Sequence, residues 1–215
     1  MAAWPLVLGR LPAAPACVVD LGCGQFGGFV PMLRAAGYDA VGIDPEAPDG
    51  EHYVQVEFER AALPAELDAI VASTSLHHVS DPAHVVDRIA GGLRRGGVAV
   101  VLEWAWERLD RATAEWSFER LSPGADAGWL HRRRQEWLAS GDEWENYLRD
   151  WAERERLHRS DLLVRLLDER LERQLLAAGP YLFTELENTT AADEQAAIDA
   201  GRISPTRVDY VGVRA

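Results

Sequence analysis

The sequence is short of cysteine, of basic charge and of long apolar runs, and each shortage excludes a class of protein. Its two cysteines, Cys17 and Cys23, leave no second pair for a disulfide framework or a cysteine metal site, so reduced thiols and no bound metal are expected. Lysine and arginine number 22 against 35 aspartates and glutamates, a formal charge of −13. Such a balance repels phosphate backbones and anionic bilayers, so neither nucleic acid nor a membrane is expected as a partner. The one basic cluster, His131 to Arg134, sits near Glu136, Asp142 and Glu143 and reads as a solvated helix face. No apolar run approaches the ~20 residues that span a bilayer. The apolar start, Met1 to Ala16, lacks a basic leader, so a cytoplasmic protein is expected rather than an exported one.

What is present is a core-forming composition and one informative turn. At 215 residues and 47% hydrophobic content the chain can bury a full core as one domain with an embellishment. Val18 to Gly28 reads Val-Val-Asp-Leu-Gly-Cys-Gly-Gln-Phe-Gly-Gly, a buried strand running into a glycine-rich turn. Asp44 follows after a second apolar run. This order is that of a sheet that binds adenosine-containing ligands: glycines at 22 and 24 allow close backbone approach, and Asp44 can accept hydrogen bonds from ribose hydroxyls.

The first half alternates strand and helix signals, which predicts a doubly wound, mostly parallel α/β sheet. Strands are predicted at Ala16–Leu21, Asp39–Ile43, Tyr53–Glu57, Leu67–Ser73 and Val98–Glu103. A helix at Gly28–Ala36 and another capped by Asp81 with Pro82 in its first turn connect them. The stretch Glu46 to Glu51 is too short for an ordinary crossover helix. Beyond Glu103 seven of the eight tryptophans fall between Trp104 and Trp151. There Trp144, Tyr147, Leu148 and Trp151 follow helical spacing behind a capping box of Asp142 and Glu145. A long helix is predicted over Ser160–Ala178, then strands at Tyr181–Glu187 and Arg207–Arg214 around a helix at Ala192–Ala200, completing seven strands.

Four segments carry a family resemblance: Val18 to Gly24; Gly42-Ile-Asp44-Pro45; Ser73-Thr-Ser-Leu-His-His-Val-Ser-Asp-Pro82; and Gly91-Gly-Leu-Arg-Arg-Gly-Gly-Val-Ala-Val-Val-Leu102. In this order they make the chain resemble the class I S-adenosylmethionine-dependent methyltransferases, of the small-molecule type related to quinone-biosynthesis enzymes. The resemblance implies a Rossmann-like methyltransferase fold of seven strands, with a helical lid inserted after strand five. Residues 1–103 would form the cofactor-binding core, 104–158 the tryptophan-rich lid, and 159–215 the helix and two strands that complete the core. It also implies S-adenosylmethionine as cofactor. Gly22, Cys23 and Gly24 would line its methionine end with Asp20 nearby, and Asp44, followed by Pro45, would hold the ribose. Glu59, four residues before Leu63-Pro64, would meet the adenine amino group in competition with Glu57, with the Arg60 amide facing the ring. Ser73 and Thr74 would approach the methionine tail. The chain departs from the family in its trimmed crossover after strand two and in reaching strand one almost at once, without the usual covering N-terminal helices.

Methyl transfer from a sulfonium needs positioning and desolvation, and a base only when the acceptor is protonated. His77 and His78, just past strand four, are candidates to take a proton or orient an acceptor; either could instead pack or cap. Glu103 beside Trp104 could act on the acceptor or pair with an arginine of the lid. Trp104, Trp106 and Trp144 are candidates to line an apolar or aromatic acceptor pocket, the alternative being a helical core. Two other functions remain open. Gly22, Gly24 and Gly27 with Asp44 also fit a nicotinamide-dependent oxidoreductase, and a non-catalytic S-adenosylmethionine-binding scaffold would keep the same loop. Monomer and homodimer are equally compatible with the sequence.

Overall fold

In the computed structural model, residues 3–64, 66–122 and 128–215 are described. Seven strands form one sheet in the order β3-β2-β1-β4-β5-β7-β6: β1 (Cys17–Leu21), β2 (Asp39–Ile43), β3 (Tyr53–Val54), β4 (Leu67–Ser73), β5 (Leu93–Trp104), β6 (Glu172–Gly179) and β7 (Arg207–Val213). The pairs β1–β2, β1–β4, β2–β3 and β4–β5 are parallel. β7 runs against β5, since hydrogen bonds join Ala105 to Thr206 at one end and Gly96 to Arg214 at the other.

Alternation along each strand divides the side chains of this doubly wound sheet between two cores. Val19, Leu21, Ile70, Ala72 and Val101 pack on one face with Val85 and Ile89 of α3 (Pro82–Gly92) and Leu163 and Leu167 of α7 (Ser160–Asp168). Val18, Ala40, Val71, Val100 and Leu102 face the other way, against Val7 of α1 (Trp4–Leu8) and Val30 and Leu33 of α2 (Val30–Ala35). α3 starts as the sequence indicates, with the Asp81 side chain accepting from the His84 amide and Pro82 in the first turn. α1, a short helix ahead of strand one, was not foreseen.

The chain divides into two compact units. The first comprises Met1–Glu103, Asp161–Ala177 and Asp209–Ala215; the second comprises Trp104–Ser160 and Ala178–Val208. The second unit contains α4 (Arg111–Phe118), α5 (Trp129–Ser140), α6 (Trp144–Arg154) and α8 (Ala191–Asp199). Its core gathers Leu109, Phe118, Leu130, Trp144, Tyr147, Leu148, Trp151 and Leu182. The segment 178–208, which the sequence reading placed with the sheet core, belongs to this unit.

Several predicted elements are corrected. The helix expected over Ser160–Ala178 stops at Asp168, and Glu172–Gly179 is the edge strand β6. Its leucines keep helical spacing, but pairing at the sheet edge outweighs that local preference, and only Gly179 of this strand is buried. Tyr181–Glu187 is not a strand: Leu182–Glu185 forms a 3-10 turn. Its shape follows from Glu194, fully buried, whose carboxylate accepts from the amides of Tyr181, Leu182 and Phe183 at 2.9, 3.2 and 2.7 Å. β5 begins at Leu93 rather than Val98, because Gly96 and Gly97 form an irregularity inside the strand, bonded to Arg214, rather than a terminus. β3 keeps only two residues. At α6 the N-cap is Glu143 with no side-chain cap, and no Asp142–Glu145 box forms. Arg133 is buried over the Trp151 ring and paired with Glu136, unlike the solvated arginine expected there.

Candidate active site

In the first unit a cavity of about 640 Å³ opens at the carboxyl ends of β1, β2 and β4. Of the ten residues that the sequence assigned to the cofactor, all but Arg60 line it. The Arg60 amide donates instead to the Glu57 carbonyl at 2.9 Å, inside the 3-10 turn Phe58–Arg60, so it is not available to an adenine ring. Leu21, Phe29, Ile43, Phe58, Ser75 and Val79 also line the cavity without having been singled out. Leu21, Ile43, Ser75 and Val79 lie inside the motif segments, and Phe29 and Phe58 are apolar residues outside them.

The turn after β1 gives its glycines different tasks. Gly22 (φ +75°) is required by the fold, since a Cβ there would overlap the Ser75 side chain. Gly24 (φ +62°) has no protein atom within 4 Å of such a Cβ, so it borders open space a ligand can fill. Gly28 keeps clear of Asp20, whose Oδ2 accepts from the Phe29 amide at 2.6 Å. Asp20 is 1% exposed. Its burial, reinforced by the nearby Asp44 and opposed by the Phe29 amide, raises its pKa from 3.8 to about 7. Burial likewise pushes the Cys23 thiol up to about 12, which excludes it as a thiolate nucleophile.

Asp44 sits just past β2, half-buried, with Oδ1 fixed by the Glu46 amide at 2.7 Å. Glu59 accepts from the amide and hydroxyl of Ser80 at 3.3 and 3.1 Å, which ties the turn Phe58–Arg60 to the loop preceding α3. Among the described residues the lining therefore carries four carboxyl groups, Asp20, Asp44, Glu57 and Glu59, with one imidazole, His78, and no lysine or arginine. Such a wall suits a ligand rich in hydroxyl, amino and cationic groups and disfavours a pyrophosphate.

The catalytic candidates are separated by the structure. His78 is exposed and lines the cavity. His77 is 3% exposed and does not line it; its Nδ1 lies 2.6 Å from Oε2 of Glu103, itself 2% exposed. Glu103 is thus paired with a histidine of its own unit rather than with an arginine or an acceptor. Trp104, Trp106 and Trp144 are core residues of the second unit. Trp144 is fully buried against Phe118, Trp137 and Tyr147, with its indole N–H donating to Leu109 at 2.6 Å. Trp106 donates to the His158 carbonyl at 3.1 Å, and Trp104 packs against Trp129, Trp151 and Tyr181. Expecting Trp144 to line a pocket was therefore wrong, because its whole surface is spent on packing.

A mostly parallel sheet in this strand order, with an acid-lined cavity at the carboxyl ends of its strands, is an α/β fold of the methyltransferase kind. Residues 1–151 match the family model described as a methyltransferase domain. A stretch of 104 residues is 35% identical to the ubiquinone biosynthesis O-methyltransferase of Xylella fastidiosa, covering 41% of this chain and 42% of that protein. Among solved structures, an S-adenosylmethionine-dependent methyltransferase from Mesorhizobium loti superposes with a TM-score of 0.60 at 20% identity, over 100% of this chain and 98% of the other. The geranyl diphosphate C-methyltransferase of Streptomyces coelicolor, whose structure holds S-adenosyl-L-homocysteine, gives 0.57 at 15% identity, over 100% and 76%. The chain belongs to the methyltransferase domain family.

Proposed function

We propose that the protein transfers the methyl group of S-adenosylmethionine to a small apolar or aromatic acceptor by in-line displacement. The observation that carries this reading is the cavity wall of four carboxyl groups, with no lysine or arginine among the described residues. S-adenosylmethionine supplies an electrophilic methyl on a cationic sulfur and carries no phosphate, whereas a nicotinamide dinucleotide brings a pyrophosphate that this wall repels. Asp44 would hold the ribose hydroxyls, Glu57 and Glu59 would face the adenine side, and the open space beside Gly24 would receive the methionine end. His78, the imidazole in the lining, would accept the proton of a hydroxyl acceptor.

The class of acceptor rests on other grounds. Relatives named for ubiquinone biosynthesis and geranyl diphosphate methylation act on small molecules. The test is formation of S-adenosylhomocysteine from S-adenosylmethionine over a panel of phenols, prenylated phenols, amines and carboxylic acids. Turnover of at least one small acceptor is expected. Cofactor binding with no turnover on any of them would favour a non-catalytic binding protein.

A further inference from the structure

The loop leaving β4 supplies Ser73, Thr74, Ser75 and His78 to the cavity, and its shape is unusual. Thr74 has φ +51°, a left-handed conformation that a β-branched residue keeps only when its surroundings enforce it. Those surroundings can be identified. The Thr74 amide donates to the Leu102 carbonyl at 2.7 Å. The next two amides, of Ser75 and Leu76, both donate to Oε1 of Glu103, at 3.0 and 2.7 Å. The Ser75 hydroxyl is tied to the Leu21 carbonyl at 3.1 Å. The second Glu103 oxygen takes the Nδ1 side of His77 at 2.6 Å, and the His77 ring lies 4.2 Å from that of His78.

We propose that Glu103 is the positioning residue of the cofactor site. Without touching the ligand, it holds the Ser75 and Leu76 amides so that Thr74 stays left-handed, and through the His77 ring it sets the ring of His78 against the cavity. Burying a carboxylate this completely is costly unless its hydrogen bonds are made, and here three consecutive residues of one loop make them. A carboxylate only accepts, so His77 carries its proton on Nδ1. A glutamine could still take the two amides on its oxygen. Its amide nitrogen would then donate to Nδ1 and move the His77 proton to Nε2. The two functions of Glu103 are therefore separable: Glu103→Gln keeps the backbone anchor and inverts the tautomer, while Glu103→Ala removes both.

This inference rests on the cavity being the S-adenosylmethionine site, and its test is read both without and with ligand. Without ligand, the amide-to-Hα coupling of Thr74 should lose its left-handed value in Glu103→Ala and keep it in Glu103→Gln. The ¹⁵N shifts of His77 should report a change from the Nδ1–H to the Nε2–H tautomer in Glu103→Gln. With S-adenosylhomocysteine as probe, calorimetry should give a dissociation constant at least ~10-fold weaker in Glu103→Ala, the factor expected when the competent loop falls to about a tenth of the population. Glu103→Gln should bind within about threefold of the original chain, and Thr74→Gly in the Glu103→Ala background should recover part of the loss. If Glu103→Ala does not fold, the Glu103→Gln tautomer and affinity decide. An unchanged Thr74 coupling and unchanged affinity in Glu103→Ala, or an unchanged His77 tautomer in Glu103→Gln, would overturn the proposal. Failure of the original chain to bind S-adenosylhomocysteine would overturn the functional reading instead, with the ligand-free signals still judging the role of Glu103.

Discussion

Asp20 ties the pH dependence of stability to the acid-lined cavity. Its carboxyl is 1% exposed and holds its proton up to about pH 7, against an ordinary value of 3.8, chiefly because burial penalises the charge. Between those two values the folded protein keeps a proton that the unfolded chain has released. The free energy of unfolding therefore falls as pH rises, with this contribution complete below about pH 4 and gone above about pH 7. From pH 5.5 to pH 8 the protein crosses roughly 1.5 pH units of that window, which at about 1.36 kcal/mol per unit amounts to ~2 kcal/mol. Asp20→Asn keeps an acceptor for the Phe29 amide and removes the titration. Urea unfolding of both proteins at the two pH values should show an extra fall of about 2 kcal/mol in the original chain alone. A cationic ligand favours the ionised carboxylate, so S-adenosylmethionine should bind about 30-fold more tightly at pH 8 than at pH 5.5, with a flatter profile in Asp20→Asn. Parallel pH profiles for the two proteins in both assays would refute the argument, since other titrating groups are common to both.

Two other substitutions probe packing and the glycine turn. Trp144→Ala should lower stability by about 3–5 kcal/mol, read from chemical denaturation, because it empties the centre of the second core and leaves the Leu109 carbonyl without its donor; a loss under about 1 kcal/mol would show that the residue is not core. Gly22→Ala and Gly24→Ala both place a side chain at positive φ, at a cost of about 1–2 kcal/mol. Only Gly22→Ala also collides with Ser75, so it should destabilise the ligand-free protein more. Gly24→Ala should weaken S-adenosylhomocysteine binding with little further effect on the free protein, and an unaffected affinity would mean that the ligand does not use the space beside Gly24.

The parts of the molecule legible in the sequence are those whose residues face one environment each. β1, β2 and β4 are short apolar runs buried on both faces, and α3 announces itself through Asp81 and Pro82. Asp20, Asp44, Ser73 and Thr74 follow because motif residues at strand ends must converge on one edge of a parallel sheet. β6 was illegible because its residues favour helix and almost none is buried, so neither propensity nor alternation marks a strand. The turn at Leu182–Glu185 depends on Glu194, far enough along the chain that no local pattern shows it. The same holds for the pairing of His77 with Glu103, 26 residues apart: each is a plausible catalytic group alone, and only their contact shows that His77 faces a carboxylate while His78 faces the cavity. The tryptophans misled for the opposite reason, since helical spacing is equally the mark of a core and Trp144 belongs to one.

The acid-lined cavity is expected to bind S-adenosylmethionine and not a dinucleotide. Isothermal titration of the whole chain with S-adenosylmethionine, S-adenosylhomocysteine and NAD(H), repeated on Asp44→Ala, tests it directly. The expected result is micromolar binding of both adenosyl ligands, its loss in Asp44→Ala, and no heat from NAD(H). Binding of NAD(H) with none of S-adenosylmethionine would contradict it.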